Sequence, residues 1–168
     1  MRVDRMIRGR KVQYMIPERA DFEKLAQRWG VKKGSAIVIA PMGATNVDLD
    51  DAVRLYWQFK YYGEDNVGVA LTTGWLAAGR PFASNPPAAG TGDWVAGEER
   101  KALFADSEDV ARASATKDAQ VVDARELNQY YGLSKRGYVG AYGHIAGAKV
   151  FPPDLVTQVV GAGPKFMK

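Results

Sequence analysis

Apolar residues recur at helical spacing twice in the first half of the chain. Phe22, Leu25, Ala26 and Trp29 stand at i, i+3, i+4 and i+7, which is one face of a helix predicted over residues 18–29. Pro17 suits a first helical position, Glu18 falls in the first turn, and Gly30 follows as a stop. A second helix is predicted from a cap at Asn46 or Asp48 to about Tyr62, with Leu49, Ala52, Val53, Tyr56 and Phe59 as its apolar face and Gly63 as its end. Residues 36–40 and 67–71 are short continuous apolar runs. Placed between helices, the first reads as a buried parallel strand and the second as its neighbour. Thr72-Thr73-Gly74 then turns the chain into a short segment at 75–78.

The periodicity stops at residues 81–97, where Pro81, Pro86, Pro87, Gly90, Gly92 and Gly97 mark a linker or long crossover. Beyond it, Asp106 caps a helix that runs through Ala115, with Glu108 and Asp109 near its positive end. Residues 120–125 read as a strand ending in charge, 126–142 as a long polar loop, 143–148 as a turn, and 149–151 as a strand stopped by Pro152 and Pro153. The tail after Leu155 carries only weak patterning. The order helix, strand, helix, strand, linker, helix, strand, loop, strand predicts an α/β fold with a mainly parallel sheet flanked by helices.

Composition narrows the chemistry. A chain of 168 residues has room for one domain or two small ones, and no apolar run approaches the length needed to span a bilayer, so no membrane partner is expected. The basic start has no apolar segment behind it and does not read as a secretory signal, so a cytoplasmic location is expected. The chain has no Cys and one His, His144. Disulfides, thiolate metal sites, a cysteine nucleophile and multi-histidine metal centres are therefore excluded within it, and neither a metal nor a cofactor is expected.

Arg2, Arg5, Arg8, Arg10 and Lys11 against Asp4 account for the whole net charge of +4. A basic stretch so confined reads as a solvated end rather than a nucleic-acid surface, and no nucleic-acid partner is expected. The acid pair Asp50-Asp51 reads as solvated or paired with Arg54 at helical spacing.

Two stretches carry a resemblance. Val121-Val122-Asp123-Ala124-Arg125, followed by Gly143-His144-Ile145-Ala146-Gly147-Ala148, resembles the front half of a rhodanese domain, where a strand ending Asp-x-Arg precedes Gly-His-Ile-Pro-Gly-Ala. The run at 36–40, the helix with Arg54-Leu55-Tyr56-Trp57, the run at 67–71, Gly74-Trp75 and Ala78-Gly79-Arg80-Pro81 are similar to the back half of such a domain. A back half that precedes a front half is the order found in the middle of a tandem sulfurtransferase of the thiosulfate or 3-mercaptopyruvate type. The resemblance thus divides the chain into a back half with a basic N-terminal segment (residues 1–80), a linker (81–104) and a front half of a second domain (105–168). Two half-domains and one permuted domain both fit this reading.

The resemblance implies transfer of sulfane sulfur through a Cys persulfide. The Cys sits in a loop after the central strand of the back half, where backbone N–H groups hold the thiolate and an anionic sulfur donor. The matching loop here, Pro41, Met42 and Gly43, has no Cys, and a Pro also removes a donor N–H. A catalytically incompetent fragment is therefore expected. The alternative is a non-catalytic module that binds an anion or a protein partner, with homo-oligomers formed through open sheet edges.

Other departures are Leu71-Thr72-Thr73-Gly74 for Leu-Asp-Gly-Gly and Ala146 for Pro. No Arg stands in Asn128-Gln129-Tyr130-Tyr131-Gly132, which leaves Arg125 and Arg136 as candidates for contact with a small anionic sulfur compound. Asp123, Gly143, His144 and Gly147 are expected to be structural, with His144 fixing a turn and Asp123 pairing with Arg125.

Overall fold

The computed structural model describes residues 2–41, 43, 45–83, 85, 90–160 and 163–166. They form two compact units, Met1–Lys101 with Val159–Lys165, and Ala102–Gln158 with Phe166–Lys168.

The first unit opens with an antiparallel hairpin, β1 (Val3–Ile7) and β2 (Arg10–Met15), in the stretch that reads from sequence as a solvated basic end. Arg8 and Gly9 both hold positive φ, 49° and 75°, between Ile7 and its partner Arg10, the backbone that a two-residue hairpin turn needs. Charge dominates this sequence, so the alternation of a strand is hard to see in it.

Helix α1 (Arg19–Arg28) follows and buries Phe22, Leu25 and Ala26, as its spacing predicts. Trp29, the fourth residue of that face, lies at the C-cap and remains 43% exposed. Helix α2 (Asn46–Tyr61) buries Leu49, Ala52 and Phe59. Its cap is neither Asn46 nor Asp48 but Thr45. The Thr45 side chain accepts the Asp48 N–H while Asp48 accepts the Thr45 N–H, and this reciprocal pair satisfies two donors at once.

The acid pair is also placed differently. Asp51 bonds Arg2 at 2.5 Å, and the Arg54 guanidinium donates to the Tyr14 carbonyl at 2.7 Å. Strands β3 (Ile37–Ile39) and β4 (Val67–Val69) pair in parallel on either side of α2, and α3 (Thr72–Ala77) closes the pattern. The sheet has two strands and Val38 is 67% exposed, so β3 is not the buried strand its apolar run suggests. An unbroken run marks β propensity; what covers its two faces is set elsewhere in the chain.

The core of this unit is aromatic. Phe22 of α1 stacks on Tyr62 at 5.1 Å and meets Phe59 edge-on at 5.0 Å. Trp94 completes the cluster, edge-on to Phe22 at 5.9 Å and to Phe59 at 5.3 Å, and is 3% exposed. Trp94 belongs to the stretch that reads from sequence as a linker. There the backbone N–H groups of Asp93 and Trp94 donate to the Val31 carbonyl, Gly97 donates to Tyr62, and Arg100 donates to Tyr61. The approach at Gly92 is so close that a Cβ there would lie 2.2 Å from the Val31 oxygen. Gly and Pro mark a segment without helix or strand, and such a segment can still send side chains such as Trp94 and Ala96 into the core.

The second unit holds α4 (Ser107–Thr116), capped by Asp106 in a second reciprocal pair with Asp109. Strands β5 (Val122–Asp123) and β6 (Lys149–Val150) form a parallel pair, and α5 (Leu127–Tyr130) lies inside the stretch predicted as loop. The strand predicted over 120–125 contracts to two residues because Arg125 turns back on Asp123. Beyond the 3-10 turn Pro153–Leu155, strands β7 (Thr157–Val160) and β8 (Gly163–Phe166) pair in the tail that carries little patterning. Strands β3–β4 and β5–β6 lie in separate sheets, so the two halves do not complete one permuted sheet.

Candidate functional site

In the second unit, the end of β5 gathers the residues of the Asp-x-Arg and Gly-His motifs. Arg125 Nε donates to Asp123 Oδ1 at 2.9 Å and Nη2 to Oδ2 at 2.5 Å, a two-pronged grip. A further N–H of Nη2 reaches the Gly143 carbonyl at 2.8 Å and ties the strand end to the turn eighteen residues on. The hydrogen bond from Arg125 holds the Asp123 carboxyl below its ordinary range, and the same bond raises Arg125. Asp123 is nearly buried and Arg125 is one-third exposed, so most of the guanidinium's donors are committed inward.

His144 follows Gly143, whose φ of 84° makes the turn. The imidazole lies flat on the Tyr130 ring, with centroids 3.8 Å apart, and its Nδ1 is 2.9 Å from the Tyr130 carbonyl oxygen. Since a carbonyl only accepts, Nδ1 carries the proton. Tyr130 Oη donates in turn to the Ala148 carbonyl at 3.1 Å.

Asp123, Arg125, Tyr142, Gly143, His144 and Ile145 are among the walls of an open cavity of about 540 Å³. Arg136 does not line it, and pairs loosely with Glu126 at 3.9 Å. Gly147, with φ of 81°, lines a smaller cavity of about 270 Å³ beside Ser114 and Lys117. Tyr130 is the member of this cluster that sequence reasoning missed. It stands in a polar, aromatic run with no helical period, and only the four-residue helix α5 turns its carbonyl toward His144.

In the first unit, the loop after β3 is the counterpart in the resemblance. Pro41 is buried, and its carbonyl accepts from the Thr72 hydroxyl. Gly43 is buried with φ of 79°, and Met42 lies outside the described residues. At the start of α2 the Asp48 N–H donates to the Thr45 hydroxyl oxygen and the Asp48 carboxylate accepts from the Thr45 N–H, so a carboxylate of the chain itself stands at the end of the helix where an anion would otherwise be favoured. An open cavity of about 470 Å³ adjoins this point, lined by Arg2, Trp29, Pro41, Asp48, Asp51 and Leu55 among others.

Among the described residues, no group of three His, Asp or Glu side chains is arranged to hold a metal ion, and no helix is long and apolar enough to cross a membrane.

Parallel strand pairs, each with its helix and a loop at the carboxyl end, define an α/β protein. Comparison with solved structures gives the class: the chain has the rhodanese fold, and 21 chains of solved structures match it. Tum1 from Saccharomyces cerevisiae superposes with a TM-score of 0.74 at 20% identity, over 86% of this chain and 50% of Tum1. SseA from Escherichia coli, whose structure is described as showing the rhodanese fold and catalytic mechanism of 3-mercaptopyruvate sulfotransferases, superposes with a TM-score of 0.71 at 22% identity, over 92% of this chain and 55% of SseA. The chain thus spans about half the length of each. No family model matches the sequence, and neither does any curated protein.

Proposed function

We propose that this chain is a stretch of a rhodanese-type sulfurtransferase that carries no reactive sulfur of its own. Residues 1–80 correspond to the back half of one domain, 81–104 to the connection and 105–168 to the front half of the next, as in a cytoplasmic tandem enzyme acting on thiosulfate or 3-mercaptopyruvate. The likeness to SseA carries this reading, together with the Asp123–Arg125 and Gly143-His144 motifs at the end of β5.

Sulfur transfer in such an enzyme needs a thiolate that attacks the donor's transferable sulfur as its bond to the rest of the donor breaks, releasing sulfite from thiosulfate or pyruvate, by way of its enolate, from 3-mercaptopyruvate. The persulfide so formed then yields that sulfur to a nucleophilic acceptor and the thiolate returns. No residue of this chain can form that bond, since it contains no Cys. Pro41 supplies neither thiol nor N–H, and the Thr45–Asp48 pair places a negative charge where an anionic donor would sit. What the chain supplies is scaffold: Arg125 and His144 fix the loop at the end of β5, and Arg125, a wall of the open cavity, brings there a positive charge that suits a small anionic sulfur compound.

The test is a thiosulfate:cyanide and a 3-mercaptopyruvate sulfurtransferase assay on the purified chain. Product formation at the rate of buffer alone is expected; turnover at enzyme-like rates overturns the reading.

A second reading, a non-catalytic module that pairs with another chain, is favoured by the two-stranded sheets, on which Val38 and Val122 are 67% and 53% exposed. Light scattering distinguishes it. A dimer that dissociates on dilution supports pairing, and a monomer at all concentrations removes it.

A further inference from the structure

We infer that the N-terminal hairpin is a strap held by charge across the cavity at the carboxyl end of β3, and that it opens as ionic strength rises. No residue of β1 or β2 is buried, so the hairpin gains little from apolar packing. A two-stranded hairpin alone is marginal in water. What holds this one is a set of ionic and charge-assisted bonds to the helices behind it. Arg2 pairs with Asp51 of α2 at 2.5 Å, and Arg5 pairs with Glu18 at 2.9 Å. Arg54 of α2 donates to the carbonyl of Tyr14, which holds a φ of 63° that a side-chain-bearing residue adopts only when its surroundings impose it.

Arg2 is also a wall of the cavity, together with Trp29, Pro41 and Leu55, and the adjoining Val3 borders a second cavity beside Lys24 and Leu25 of α1. Movement of the hairpin therefore changes access to both.

Asp51 is the keystone of the latch. Burial lowers the pKa of Arg54 most, the positive charge of Arg2 lowers it further, and the negative charge of Asp51, which pairs with Arg2, works against both. Neutralising Asp51 leaves Arg2 and Arg54 repelling one another as well as breaking the pair. Salt weakens the same contacts by screening, since Arg2 and Asp51 are both partly exposed.

The absence of native Cys makes the test direct. Ala52 lines the cavity and is 5% exposed, so Ala52→Cys places a single thiol in its wall. Alkylation by iodoacetamide, which is uncharged, is timed at about 20 mM and about 500 mM NaCl. The rate is expected to rise about fivefold with salt, the change that loss of one modest interaction produces. Adding Asp51→Asn or Arg2→Ala is expected to give the fast rate already at low salt. Asp65→Asn, which breaks an exposed ion-pair cluster at the other end of α2, is expected to leave the rate unchanged. A rate indifferent to salt and to both latch variants overturns the inference. So does an equal acceleration by Asp65→Asn, which would mean general loosening. If Asp51→Asn fails to fold by circular dichroism, Arg2→Ala decides.

Discussion

The imidazole of His144 lies flat against the ring of Tyr130, with centroids 3.8 Å apart and planes 11° apart, while its Nδ1 donates to the carbonyl of that same tyrosine at 2.9 Å. One side chain thus reads both the ring and the backbone of its partner, which fixes the turn at Gly143 to the end of α5. His144→Ala removes stack and hydrogen bond together and is expected to destabilise the chain by about 1–2 kcal/mol. Tyr130→Phe keeps the stack and the carbonyl, loses only the bond from Oη to Ala148, and is expected to cost about half as much. Urea unfolding followed by circular dichroism ranks the two; equal losses would mean that the stack contributes nothing.

Asp123 and Arg125 predict a dependence on acid. Arg125 holds the Asp123 carboxyl below its ordinary range, so the folded chain binds that proton less readily than the unfolded one. The stabilisation is present in full above the unfolded carboxylate pKa of about 3.9 and is lost as pH falls through the lower folded value. Asp123→Asn is expected to flatten that part of the stability profile. Asp123→Ala, which leaves the guanidinium with only Gly143 among these partners, is expected to cost about 1–3 kcal/mol at neutral pH. Chemical denaturation between about pH 2.5 and 7 checks both.

Trp94 tests whether residues 90–100 are part of the first unit's core. Its ring contacts Phe22 and Phe59, and its Nε1 donates to Glu64 at 2.9 Å. Trp94→Ala is expected to cost about 3–5 kcal/mol, and Trp94→Phe distinctly less because the edge-on contacts survive. Gly92→Ala is expected to destabilise by about 1–3 kcal/mol, since its Cβ would overlap the backbone of Val31. Thermal melting reads all three; unchanged melting in Trp94→Ala would show a free tether.

Tyr61 predicts a dependence on alkali. Burial, reinforced by its hydrogen bond to Glu99, pushes its pKa up to about 12. The folded chain keeps this phenol protonated where the unfolded chain has begun to lose it. The stabilisation is therefore complete below about pH 10 and is lost as pH rises through about 12. Burial also pushes the neighbouring Tyr62 phenol up, so tyrosinate absorbance at 295 nm should show two late-titrating groups, of which Tyr61→Phe removes the earlier.

The sequence alone determined the α/β class, the two principal helices and the positions of the two parallel strand pairs, β3–β4 and β5–β6. Those features are local: Phe22, Leu25 and Ala26 share a face whatever surrounds them, and Asp106 caps α4 from within its own turn. The motif at Asp123, Arg125, Gly143 and His144 was legible for the same reason, since its residue types survive in order along the chain. The absence of a nucleophile needed only a count.

Tertiary structure decided what covers what. The linker's Trp94 became core because Phe22 and Phe59 leave an aromatic site between them, a vacancy that no local pattern records. The basic start became a hairpin because Asp51 and Glu18, remote in sequence, stand where Arg2 and Arg5 can reach them. The run at β3 kept Val38 in solvent because two-stranded pairing leaves one face without a partner. Periodicity reports which residues share a surface; burial depends on a second surface, and that one is supplied by distant parts of the chain.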